Sequence, residues 1–192
     1  MRAEEELVKR LADLQMHITV AESCTGGMVA AHITSVPGSS TVVEQGFVTY
    51  SNRAKVKVLD VDKRLLRMYT EYSPQAAAAM AKGAAKKAGS DIALAITGIA
   101  GPDGGSEDRP VGLVYIACYV TRASLARLER TKEHIWHMDM PKKGKCVVRE
   151  YHFGGDRDAV REQATQAALT LALEGMDYIA CMTDTGMEKD FV

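Results

Sequence analysis

Cysteine is scarce and scattered in this chain. Cys24, Cys118, Cys146 and Cys181 form no C-x-x-C pair, which argues against a zinc site or a disulfide framework and for reduced thiols in a cytoplasm. No run approaches the ~20 apolar residues needed to span a bilayer. The opening Met1-Arg2-Ala3-Glu4-Glu5-Glu6 is too acidic for a signal peptide, so a cytoplasmic protein without a membrane partner is expected. An excess of one charge is also missing. The formal net charge is −1, so nothing suggests a surface for nucleic acid or another polyanion. The G-x-x-x-x-G-K-[ST] pattern is absent, and ATP binding is not expected. No internal repeat, low-complexity tract or linker divides the sequence, and residues 1–192 read as one domain with a polar tail from about 184.

What is there alternates between strand and helix. Leu7, Leu11 and Leu14 repeat at helical spacing over 3–15. His17–Ala21 has the β-branched content of a buried strand and runs into Glu22-Ser23-Cys24-Thr25-Gly26-Gly27. A helix starting near Thr25 follows, ending before Val36-Pro37-Gly38. Ser39 and Ser40 close that loop, and Val42–Tyr50 reads as a second strand. Ser51-Asn52 caps a short helix over 53–59, Asp62 caps another near 64–69, and Ser73-Pro74 opens an alanine-rich helix that Gly89 stops. Ile92–Thr97 is apolar on both faces, as in a covered parallel strand. It enters a long loop, Gly98–Ser106, before a strand over 111–120. Residues 123–153 read as an extended hairpin: helical at Leu125–Arg130, a strand over Thr131–Met138, a turn at Pro141–Gly144, and a returning strand over Cys146–Phe153. A last helix runs from Gly154-Gly155-Asp156 to about Glu174, with Val160, Ala164, Ala167, Ala168 and Leu171 buried. The pattern predicts an α/β fold: a three-layer α/β/α sandwich around a mixed, mostly parallel sheet, with the hairpin inserted before the last helix.

The Ser23 turn is the most informative stretch. A strand that ends in small polar residues and restarts as a helix leaves them at the carboxyl edge of a sheet, where open α/β folds bind ligands. It also aims a helix start at that point, which predicts an anion site with a candidate nucleophile inside it. Gly26 and Gly27 allow a substrate to approach the backbone closely. From this stretch alone, Ser23 as nucleophile and Ser23 as simple helix cap stand level. Cys24 is the rival thiol, since a helix start lowers a thiol's pKa, but cysteine is also a common buried residue and that reading is preferred.

Five motifs in order carry a resemblance: A-E-S-C-T-G-G (21–27), G-F-V-T-Y-S-N-x-A-K (46–55), T-G-I-A-G-P-D-G-G-S (97–106), P-V-G (110–112) and G-D-R-D-A-V-R (155–161). Over residues 5–175 the chain resembles the carboxy-terminal domain of CinA, whose stand-alone form is a nicotinamide-nucleotide amidase. The resemblance implies hydrolysis of nicotinamide mononucleotide to nicotinate mononucleotide and ammonia, in recycling of NAD breakdown products, by a serine–lysine arrangement without metal or cofactor. By motif position the nucleophile falls on Ser23 and its activating lysine on Lys55, while Ser40, Tyr50, Thr97 and Arg157 match supporting positions. It does not extend to the molybdopterin-type amino-terminal domain of full-length CinA. The 123–150 segment is longer than the compact pattern of the domain.

The chemistry fits those residue types. Lys55 lies in the first turn of its helix, where the macrodipole disfavours a cation, and partial burial would help it lose its proton to become a base. Without the motif, a solvated lysine is the usual alternative. Tyr50 is placed to hydrogen-bond Lys55 or the substrate, or simply to cover the sheet edge. Arg157 and Arg161 crowd a helix start that prefers carboxylates, which suggests a fork for phosphate or carboxylate. Asp156 and Asp158 are the competing partners, and for Arg161 pairing is preferred. Thr97, Gly98 and Gly101 begin the loop expected to wrap the ribose or phosphate. Asp103 lacks partners as a metal ligand. His134 and His137 fall on opposite faces of a strand and read as surface residues. The alternatives are a non-catalytic nucleotide-binding domain acting in competence or DNA damage, and an amidase for a different amide. A homo-oligomer, dimer or higher, is expected from the resemblance and from the apolar helices.

Overall fold

A computed structural model describes residues 1–121, 123–124 and 144–185, with side chains described as far as Asp177. The elements are α1 Ala3–Asp13, β1 Ile18–Glu22, α2 Met28–Thr34, β2 Phe47–Val48, α3 Asn52–Leu59, α4 Lys63–Tyr69, α5 Pro74–Ala88, β3 Ile92–Gly98, β4 Leu113–Val120, β5 Lys145–His152 and α6 Arg157–Thr185. The sheet order is β2-β1-β3-β4-β5. β1 pairs in parallel with β2 and β3, whereas β4 is antiparallel to both β3 and β5. Among the described strands, only β4 therefore runs against the others. The carboxyl ends of β1, β2, β3 and β5 share one edge of the sheet, and everything that follows these strands converges there.

Strand alternation divides the core into two unlike layers. Ile18, Val20, Ile92, Leu94, Ile96, Val114 and Ile116 face α1, α2 and α6. Ala21, Ala93, Ala95 and Ala117 face the opposite way, against Ala77, Ala81, Ala84 and Met80 of α5. Small side chains on both surfaces let that helix lie close to the sheet, which is the physical content of the alanine-rich segment. Its closest approach is elsewhere: a Cβ at Gly83 would lie 2.1 Å from the Leu59 carbonyl oxygen at the end of α3. Alanine is the better helix former by about 1 kcal/mol, but a backbone clash of this depth outweighs it. Gly83→Ala is expected to destabilise the protein by about 2–3 kcal/mol, measured by urea unfolding.

The helices predicted at 53–59, at 64–69 and from Pro74 to Lys87 form behind their expected caps: Ser51 accepts from Ala54 N at 3.1 Å, Asp62 from Arg64 N at 2.8 Å, and Ser73 from Ala76 N at 3.2 Å. Three expectations need correction. The Val42–Tyr50 strand shrinks to Phe47–Val48, preceded by a 3₁₀ turn at Ser39–Thr41. The Val42 side chain plunges into the core, and its carbonyl accepts from Ile18 N at 2.8 Å. Gly46 crosses over β1, where a Cβ would sit 2.9 Å from Val20. Second, α2 starts at Met28 rather than near Thr25, with Gly27 (φ 110°) as its cap. Third, α6 runs past Glu174 through Gly175 to Thr185, into the stretch expected to be tail. Gly175 is a packing glycine, not a stop: a Cβ there would lie 2.9 Å from the Cys118 sulfur. Of the hairpin, β5 is the returning strand, while the predicted elements at 125–130 and 131–138, with His134 and His137, lie outside the described residues. Among the described residues no helix is long and apolar enough to cross a membrane.

Candidate active site

The site forms at the shared edge because β1 ends one residue before Ser23, and Ser23 N still donates to Ile96 O of the neighbouring strand at 3.0 Å. α3 begins just beyond β2, and Lys55 occupies its fourth position. The Lys55 side chain returns toward the sheet. Its Nζ lies 2.9 Å from Ser23 Oγ and donates to the Thr49 carbonyl at 2.9 Å. Lys55 is 1% exposed and Ser23 6%. Burial pushes the amine's pKa below that of free lysine, opposed by the Glu71 carboxylate and by Cys24. A buried amine within hydrogen-bond reach of a serine hydroxyl, with a carbonyl fixing its orientation, has the parts of a base and its nucleophile.

Arg157, at the start of α6, donates to the Gly101 carbonyl at 2.6 Å and to the Tyr50 hydroxyl at 3.0 Å. It thereby ties the loop after β3 to the segment after β2. Tyr50 is 62% exposed, and its hydroxyl is engaged by Arg157, not by Lys55. Thr97 is buried and spends its hydroxyl on the Glu71 carbonyl at 2.8 Å. Gly98 lies inside β3, where a Cβ would fall 2.5 Å from the Leu113 carbonyl oxygen, so strand packing alone requires it. Thr25 is fully buried, with its hydroxyl unpartnered among the described residues. Gly26 and Gly27 hold positive φ (65° and 110°), which lets the turn reverse directly into α2. Ser40 is not part of this cluster. It sits in the 3₁₀ turn whose next residue, Val42, bonds Ile18 at the start of β1, one strand length from Ser23.

The anion site expected at the start of α2 is already filled by the chain itself. Glu22, 0% exposed, accepts from Gly27 N at 2.9 Å, Val29 N at 3.2 Å and Ala30 N at 2.9 Å. Its carboxylate satisfies the first amides of the helix and complements the dipole. An acidic residue closing an apolar strand just before a helix was the available sign. Arg161 also does more than pair with Asp158 at 3.2 Å: it donates to the carbonyls of Cys24 and Thr25, both at 3.2 Å, and so clamps the Ser23 turn. Its position four residues after Arg157, on one helical face, was the legible hint. Asp156 caps α6 by accepting from Ala159 N at 2.9 Å. The Cys24 thiol is buried, and burial pushes its pKa up to about 11. About 10⁻⁴ of it is thiolate at pH 7, so it is an inert core group. Cys24→Ala is expected to leave the reactivity of Ser23 largely intact, measured as the rate of its labelling by a fluorophosphonate.

A three-layer α/β protein with a buried serine–lysine pair at the carboxyl edge of its sheet is the class that fold and site define. The chain belongs to the CinA C-terminal domain family, whose model matches residues 1–141. It is 43% identical over 166 residues to a CinA-like protein of Kosmotoga olearia, covering 86% of this chain and 35% of that protein. A CinA-like protein of Geotalea uraniireducens is 46% identical over 144 residues, covering 75% of this chain and 29% of the relative. The chain thus spans about a third of the length of the curated relatives it matches. Among solved structures, the competence/damage-inducible protein CihA of Agrobacterium tumefaciens superposes with a TM-score of 0.75 at 35% identity, covering 92% of this chain and 97% of that one. A CinA-superfamily protein of Escherichia coli gives 0.72 at 32% identity, over 90% and 87%.

Proposed function

We propose that the protein is an amidohydrolase that converts nicotinamide mononucleotide to nicotinate mononucleotide and ammonia. The observation that carries this reading is the buried contact of Lys55 Nζ with Ser23 Oγ at 2.9 Å. With its pKa lowered by burial, Lys55 takes the proton of Ser23, whose oxygen attacks the carboxamide carbon. The N–H groups of Cys24 and Thr25, outside the set that Glu22 occupies but facing the Cys24 sulfur, are the candidate donors to the oxyanion once they turn to it. Collapse of the intermediate breaks the C–N bond, and the proton held by Lys55 leaves with the amine as ammonia. A water then gives its proton to Lys55 and its hydroxide to the acyl carbon, releasing the carboxylate and restoring Ser23.

Arg157, exposed and fixed between Tyr50 and Gly101, is the group best placed to meet the phosphate of such a substrate. The pyridine mononucleotide itself, and its place in recycling of NAD breakdown products, follow from the resemblance to nicotinamide-nucleotide amidases. Several relatives are named competence-damage inducible proteins, but a buried base beside a nucleophile favours catalysis over mere binding. The test is ammonia release from nicotinamide mononucleotide by the purified protein. Stoichiometric ammonia and nicotinate mononucleotide are expected, and no ammonia over a day at micromolar enzyme overturns the substrate assignment.

A further inference from the structure

We propose that the carboxylate of Glu71 governs the proton on Lys55, and so sets the pH range in which Ser23 is nucleophilic. This rests on the serine–lysine reading above and adds a residue to it. Glu71 lies in the short connection between α4 and α5, and three independent features hold it there. Its carboxylate accepts from Asn52 Nδ2 at 3.1 Å. Its carbonyl accepts from the buried Thr97 hydroxyl at 2.8 Å. The preceding Thr70 adopts φ 69°, ψ 171°, a strained conformation for a β-branched residue that persists only where its surroundings enforce it. Asn52 and Lys55 are three residues apart on α3 and share one helical face. The carboxylate that Asn52 holds, in an exposed hydrogen bond, therefore lies within one helical turn of the point where the buried Lys55 leaves α3.

The groups around Lys55 leave Glu71 as the charge that matters. From the β1–α2 turn come Ser23 and Cys24, the latter a neutral thiol; from the segment after β2 comes the Thr49 carbonyl. The Glu22 carboxylate is committed to the amides of α2. Arg53 and Lys57, on the same helix, are exposed to solvent. Tyr72, beside Glu71, has its phenol pushed up by burial and by that same carboxylate, and stays neutral. Burial lowers the Lys55 pKa while Glu71 raises it. Glu71 thus keeps the amine from being depressed so far that it becomes too weak a base, at the cost of activity at low pH.

The test measures the rate of Ser23 labelling by a fluorophosphonate against pH, which reads the pair without any natural substrate. Glu71→Gln keeps an acceptor for Asn52 and removes only the charge. The acid limb of its profile is expected to move down by about 0.5–1 pH unit. Labelling well below the wild-type inflection would then rise about 3–10-fold. Asn52→Ala, which frees the carboxylate, is expected to give a smaller shift in the same direction. An unchanged or upward-shifted limb in Glu71→Gln overturns the proposal. Absence of Ser23 labelling in the unsubstituted protein overturns the serine–lysine reading and this proposal together. A shifted limb without hydrolysis of nicotinamide mononucleotide supports the role of Glu71 and rejects only the substrate.

Discussion

Ser23→Ala and Lys55→Ala are each expected to reduce ammonia release from nicotinamide mononucleotide by about 10⁴-fold or more, and the double variant by little more than either alone. Two groups that act as one unit lose their function when either is removed, so their effects do not add. A positioned base alone contributes roughly 10²–10⁴-fold, and removal of the attacking oxygen eliminates the covalent route altogether. Lys55→Met is the control for folding, because it keeps the volume of the side chain. Burial that lowers the amine's pKa costs free energy at any pH below the free lysine's pKa, so its loss is not expected to lower the melting temperature. A Ser23→Ala protein with full activity would move the attack to a water molecule, and a Lys55→Met protein with full activity would remove lysine as the base.

Glu22→Ala is expected to cost about 3–5 kcal/mol, the largest effect on stability among the substitutions considered. The carboxylate is fully buried and receives hydrogen bonds from Gly27, Val29 and Ala30. Its removal leaves those amides without an acceptor, at about 1–3 kcal/mol for each one that finds no water. For a chain of this size the melting temperature should fall by about 10 °C or more. Glu22→Gln should fare little better, since its amide group would turn donors toward donors. Activity should drop along with stability, because α2 and the Ser23 turn lose their common anchor. A melting temperature within a degree or two of the unsubstituted protein would show that water replaces the carboxylate at the helix start.

Glu22 also shows where sequence reasoning stops. The same strand–turn–helix pattern that exposed Ser23 predicted an open helix start for an anion, and the chain closed that start with its own carboxylate. Local pattern identifies a helix N-terminus but not the side chain that reaches it from the preceding strand. The Val42–Tyr50 segment failed for a related reason: its alternation was right for a strand, but Val42 is recruited into the core and Gly46 crosses β1. The last helix, expected to end at about Glu174, instead runs on through Gly175, which packs against Cys118. Each miss lies where a distant residue overrode a local preference.

The sequence by itself determined the alternation of strands and helices, the caps at Ser51, Asp62 and Ser73, the two-faced burial of β3, and the family, because these depend on neighbours along the chain or on motif order. Only the tertiary structure decided that a hydroxyl and an amine 32 positions apart meet at 2.9 Å. It also decided that Arg161 grips the turn after Ser23, that Thr97 bonds the Glu71 carbonyl, that Gly98 packs on Leu113, and that Ser40 lies beside the other end of β1. Those relations depend on how parallel strands bring their carboxyl ends to one edge, and no local propensity encodes that distance.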